Sequence, residues 1–104
     1  MEERDQYTEY FSTGEIKETG ETIEGQSHGF FKSFYKNGNV ETQGHYKEGM
    51  KDGLWECFFP DGKLEIRGHY KDDQFDGVWE IFNEEGECIS KTVYDMGKRI
   101  QSKE

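Results

Sequence analysis

The chain has 104 residues, of which 31% are hydrophobic and 35% charged, and its net charge is −10. A chain of that length holds one domain with a modest core at best. Its charge disfavours nucleic-acid phosphate and anionic lipid as partners, and favours a basic protein surface.

Disorder is the first reading that such a charge invites, but the aromatic residues argue against it. Eight Phe, six Tyr and two Trp recur in register, which a solvated coil does not require. No basic segment followed by an apolar run opens the chain, and no apolar stretch reaches the ~20 residues of a membrane span. Two cysteines do not make a disulfide framework. The expected compartment is the cytoplasm.

Residues 1–9 read as an acidic lead-in. Over residues 1–25, Glu2, Glu3, Asp5, Glu9, Glu15, Glu18, Glu21 and Glu24 stand against Arg4 and Lys17 alone. From Tyr10 onward one unit of 24 residues recurs as 10–33, 34–57, 58–81 and 82–100, and a polar tail, 101–104, follows. The two central copies, FYKNGNVETQGHYKEGMKDGLWEC and FFPDGKLEIRGHYKDDQFDGVWEI, align without a gap. A period in this range marks a repeat architecture. Three glycine ladders share it: Gly14, Gly38, Gly62 and Gly86; Gly20, Gly44 and Gly68, broken at Thr92; and Gly29, Gly53 and Gly77.

Each unit reads as two strands about a tight turn. Asn37-Gly38 and Asp61-Gly62 are strong hairpin signals, read as two-residue type I′ turns, and Thr13-Gly14 and Glu85-Gly86 are weaker copies. Glu48–Gly53 and Asp72–Gly77 turn the chain between units. The fold expected is all-β: an elongated, single-layer antiparallel meander of stacked β-hairpins, with about eight strands. Asp95–Glu104 is too short and too polar to form a second layer.

Counting outward from Asp61-Gly62 pairs Phe59 with Leu64, Cys57 with Ile66 and Trp55 with Gly68, and Tyr70 extends that face. The same count pairs Tyr35 with Val40, Phe31 with Gly44 and Trp79 with Thr92. A ring opposite a glycine can lie across the bare backbone and shield it. The other face pairs Phe58 with Glu65, Glu56 with Arg67, Leu54 with His69, Phe82 with Ile89 and Glu80 with Lys91. Phe34, Phe58 and Phe82 form a stripe on this mixed face. Since no helix covers either face, the sheet curls over its aromatic side or a second chain covers it.

These residues resemble a known family. The run Gly44-His45-Tyr46-Lys47-Glu48-Gly49-Met50-Lys51-Asp52-Gly53-Leu54-Trp55, continued by Glu56-Cys57-Phe58-Phe59-Pro60-Asp61-Gly62-Lys63-Leu64, is similar to the variant MORN repeat of the grouping called YwqK-like antitoxins. Thr22, His28 and Phe31 depart from its tyrosine, aspartate and tryptophan, Phe75 stands where lysine is usual, and Thr92 replaces a glycine. The resemblance implies an elongated sheet of hairpins that binds proteins, in bacteria often as the immunity partner of a toxin. It brings no catalytic residues.

The sequence offers no other chemistry. His45 and His69 hold one repeat position two strands apart, about 9–10 Å at ~4.8 Å per strand, too far to share a metal ion comfortably. Cys57 and Cys88 fall about 14 Å apart by the same spacing, beyond the ~7 Å reach of a disulfide, and Cys88 reads as a small core hydrophobe. Asp72, Asp73 and Asp76 lack the order of a calcium loop and read as a turn.

No catalytic residue, metal or cofactor is therefore expected. The leading expectation is an antitoxin or immunity protein that binds a basic toxin through Phe34, Phe58 and Phe82 with Glu56 and Glu80 beside them. The alternative is a scaffolding protein that forms a homodimer through Trp55, Phe59, Tyr70 and Trp79.

Overall fold

The computed structural model describes residues 4–103. Residues 1–3 of the acidic lead-in and Glu104 of the polar tail lie outside the described residues. Ten strands follow one another: β1 (Arg4–Tyr10), β2 (Ile16–Ile23), β3 (Gln26–Phe34), β4 (Val40–Lys47), β5 (Met50–Phe58), β6 (Leu64–Lys71), β7 (Gln74–Phe75), β8 (Gly77–Phe82), β9 (Cys88–Asp95) and β10 (Lys98–Lys103).

They form one antiparallel meander in the order β1-β2-β3-β4-β5-β6-β8-β9-β10, and the short β7 pairs with β6. The expected all-β, single-layer meander is what the chain adopts. It has ten strands instead of about eight because β7 is split off before β8 and because part of the polar tail pairs with β9. Most of the acidic lead-in is likewise strand, as β1. An edge strand can be polar on both sides, since ladder hydrogen bonds to one neighbour hold it and charge discourages further pairing.

Nine strands abreast at ~4.8 Å span about 38 Å. The extents are 42 × 35 × 15 Å, so the sheet is open and one layer thick. Among the described residues Trp55, at 4% exposure, is the one buried large hydrophobic side chain.

The hairpin loops differ from the expected type I′ turns. The Gly62 N–H donates to the Phe59 carbonyl (2.9 Å), and the Phe59 N–H donates to that of Lys63 (2.8 Å), so the loop is the three residues Pro60-Asp61-Gly62. Only Gly62 has positive φ there, +97°. Phe11, Tyr35 and Asn83 close the other three loops in the same way. A β-bulge follows each loop, and for the third hairpin it lies at Glu65, between the pairs Phe58↔Leu64 and Cys57↔Ile66. The loop's extra residue and the bulge offset each other. Inner pairs such as Trp55↔Gly68 and Glu56↔Arg67 therefore fall where a two-residue loop would put them.

The bulge changes which face the residues next to the loop occupy. Leu64 pairs with Phe58, Val40 with Phe34 and Cys88 with Phe82, where the sequence count paired Leu64 with Phe59, Val40 with Tyr35 and Phe82 with Ile89. Paired residues share a face. Val40, Leu64 and Cys88 thus leave the tryptophan face and join the phenylalanine stripe.

On the tryptophan face the rings touch in sequence. Phe31 stacks on Trp55 (5.8 Å between centroids), Tyr70 meets both Trp55 (6.0 Å) and Trp79 (5.1 Å) edge-on, and Phe75 stacks on Trp79 (4.1 Å) and meets Tyr94 edge-on (5.0 Å). Each such pair contributes about 0.5–1.5 kcal/mol beyond its area. The ring over each glycine is not the one across the hairpin. A Cβ on Gly44 would meet Trp55 at 2.2 Å, and one on Gly68 would meet Trp79 at 2.0 Å. Each tryptophan lies on the strand before its own. Its indole N–H donates to a carbonyl on that strand, His45 for Trp55 and His69 for Trp79, both at 3.0 Å.

Candidate functional site

The mixed face is organised in rows that cross the strands. Nearest the hairpin loops runs an apolar row built from the pairs Tyr10↔Ile16, Phe34↔Val40, Phe58↔Leu64 and Phe82↔Cys88. The three phenylalanines singled out in the sequence stand on alternate strands of it and are half-buried. Sequence reasoning missed their neighbours Val40, Leu64 and Cys88. Their common repeat position carries the apolar signal, but the bulge that turns them to this face leaves no hydrophobic mark. Cys88 is exposed and is not the core residue expected.

The next row inward is polar. Glu80 is held by Arg67 (3.0 Å) and Lys91 (3.7 Å), and Arg67 also lies over the Phe82 ring at 5.8 Å. Glu56 accepts a hydrogen bond from the Gln43 amide (2.9 Å). Both carboxylates singled out in the sequence therefore lie beside the phenylalanines, but each already has a partner within the sheet.

Further negative charge lies in the loops bordering the apolar row, at Glu15, Asp61, Glu84, Glu85 and Glu87, all exposed. Glu15, Asp61 and Glu87 have partners within the loops, and among the described residues the Glu84 and Glu85 carboxylates have none. The hydrogen bond from Thr13, then one from its own backbone, hold the Glu15 carboxyl below its usual pKa. Lys63 reaches across to the next loop, donating to the Glu84 carbonyl at 3.0 Å and lying 3.9 Å from Asp61. The site is thus an apolar strip on one face with an acidic border along one edge.

At the opposite end of the strands the acidic turn residues do a structural job. The Asp73 carboxylate accepts from the Lys51 N–H (2.6 Å) and the Asp76 carboxylate from the Met96 N–H (3.0 Å). His28, which replaces the aspartate of the repeat, accepts from the Glu48 N–H through Nδ1 (3.1 Å) in the same way. This agrees with the reading of Asp72, Asp73 and Asp76 as an inter-unit turn. His45 and His69 are exposed on the mixed face. Cys57 and Cys88 are both free.

Two stretches, residues 27–48 and 51–72, match the MORN repeat variant. These two adjacent stretches, together less than half of the chain, are similar to that repeat. Their starts are one 24-residue period apart, and each matched stretch runs through a hairpin, β3 to β4 and then β5 to β6. Comparison with curated proteins and with solved structures finds no match. MORN repeats are generally protein- or membrane-binding modules of a non-catalytic repeat type.

Proposed function

We propose that this chain is a non-catalytic, cytoplasmic protein-binding module of the antitoxin or immunity kind, which neutralises a basic toxin by covering part of its surface. The supporting observation is the apolar row of Phe34, Phe58 and Phe82, now widened by Val40 and Leu64, beside loops rich in carboxylates. Among the described residues no second layer packs over that row. Large apolar strips bordered by polar residues mark protein interaction sites. Aromatic anchors supply most of the affinity of such a contact, while an acidic border steers a basic partner and speeds its arrival.

Glu56 and Glu80 position the row in this reading, because Gln43, Arg67 and Lys91 already occupy them. The loop carboxylates meet the partner's cations. Co-expression with the product of the adjacent gene, followed by affinity measurement on the purified pair, tests the proposal. Phe58→Asp and a combined Glu84→Lys, Glu85→Lys change should each weaken binding at least tenfold. Unchanged affinity in both variants would remove this surface from consideration.

A further inference from the structure

The opposite, tryptophan-bearing face is not uniform along the sheet. Its ring chain is dense from Trp55 to Tyr94 but opens towards the N-terminal side into a groove of about 600 Å³. That volume lies within the ~300–1,000 Å³ usual for ligand sites. The opening has a cause in the repeat. Phe31 holds the position of Trp55 and Trp79, and this smaller ring leans on Trp55 at 5.8 Å, while Gly20 is covered by Tyr7 instead. Phe11, Phe31, Tyr35 and Trp55 wall the groove.

Its charge is opposite to that of the molecule. Lys17, Lys36 and Lys51 line it, and none of the three is in an ion pair among the described residues. Lys36 and Lys51 instead lie over rings, Lys36 over Phe11 at 5.8 Å and Lys51 over Trp55 at 5.1 Å. The two carboxylates of the groove are engaged with hydroxyls, Glu18 accepting from Tyr7 (2.9 Å) and Glu41 from Ser33 (3.3 Å). Lys17, Lys36 and Lys51 against Glu18 and Glu41 leave the groove one excess positive charge, a local reversal of sign on a chain of net charge −10.

We propose that this groove binds an extended acidic peptide segment of a protein partner. An apolar side chain of the segment seats against Phe31 and Trp55, and flanking carboxylates pair with Lys17, Lys36 and Lys51. Aromatic walls contribute contact area at low entropic cost, and the lysines select the sign of the flanking residues. The groove opens on the face opposite Phe58 and Phe82, and of that row Phe34 alone also lines it, so a change at Phe58 tests the function proposed above separately from this site.

The test uses the full chain and two labelled synthetic peptides of about eight residues, one with a central Phe among Asp and Glu and one with the same Phe among Lys. Fluorescence anisotropy should show saturable binding of the acidic peptide alone. Lys36→Glu combined with Lys51→Glu should weaken it at least tenfold. Phe31→Trp, which installs the residue found at this position in the next two units, should fill the groove and abolish binding. Phe58→Asp, on the other face, should leave it unchanged. Preference for the basic peptide, absence of saturable binding, or acidic-peptide affinity insensitive to the lysine pair would overturn the proposal. Should Phe31→Trp fail to fold, the lysine pair alone decides.

Discussion

The indole of Trp79 lies flat on the backbone of Gly68, so close that a methyl group there would sit 2.0 Å from the ring. Its N–H is fixed to the next carbonyl, that of His69, at 3.0 Å. The ring cannot retreat without giving up that bond and its stacking on Phe75. Gly68→Ala is therefore expected to cost at least the ~1–3 kcal/mol of an overpacked core, and Gly44→Ala beneath Trp55 a similar amount. Urea unfolding followed by tryptophan fluorescence checks both. A change below about 0.5 kcal/mol would mean that the rings are not seated on these glycines.

Gly62 provides the contrasting case. A Cβ there meets nothing closer than 3.9 Å, but its φ of +97° is one that side chains other than hydrogen rarely adopt. Gly62→Ala should cost about 1–2 kcal/mol through backbone strain alone. Because no contact is lost, its near-UV circular dichroism should match that of the parent, whereas Gly68→Ala should alter it.

These two glycines mark how far the sequence could be read. The 24-residue period, the hairpins and the inner register of Trp55 with Gly68 were legible, because ring and glycine alternate on a fixed ruler. The bulge was not. Its residues, Lys17, Glu41, Glu65 and Ile89, share no chemistry, since an extra residue near a loop need not pack against anything. The same silence hid the turning of Val40, Leu64 and Cys88 to the phenylalanine face. The choice of glycine under each ring was also hidden. Register between β4 and β5 shifts between Gln43 and His45, which leaves Gly44 without a β5 partner beneath Trp55. The ladder of Gly29, Gly53 and Gly77, all of positive φ, is its mark in the sequence, but it does not say which ring the shift brings over which glycine. The Phe34, Phe58 and Phe82 row was legible as a stripe, but the partners of Glu56 and Glu80 were only half so. The sequence paired Glu56 with Arg67, and the guanidinium turns instead to Glu80 on β8.

Tyr7 gives the fold a dependence on alkaline pH. Burial raises its pKa to about 12 from 10.0, and the hydrogen bond to Glu18 and that carboxylate's charge add to the shift. The folded chain thus keeps the phenolic proton to higher pH than the unfolded chain does. The stability that this group contributes is complete below pH 10 and is lost as pH rises through about 12. Tyr7→Phe should lose part of the decline between these values, though burial also raises Tyr46 and Tyr70, which keep their share of it. Urea midpoints of both proteins at about pH 9 and about pH 11.5 read the difference. An equal fall in the two proteins would exclude Tyr7 as a contributor.

The Arg67–Glu80–Lys91 bridge spans three neighbouring strands, β6, β8 and β9, with separations of 3.0 and 3.7 Å. Glu80 is 19% exposed while its partners are more than 40% exposed, so water screens the cations more than the carboxylate. Glu80→Gln keeps the shape and one acceptor but removes the charge that both cations share. The expected cost is about 0.5–1 kcal/mol, the upper part of the range for exposed pairs, because a single carboxylate serves two partners. Salt at about 1 M, where screening acts within ~3 Å, should bring the variant and the parent closer together. A cost unaffected by salt would assign the role of Glu80 to hydrogen bonding with Arg67 and not to charge, and Glu80→Ala would then cost clearly more than Glu80→Gln.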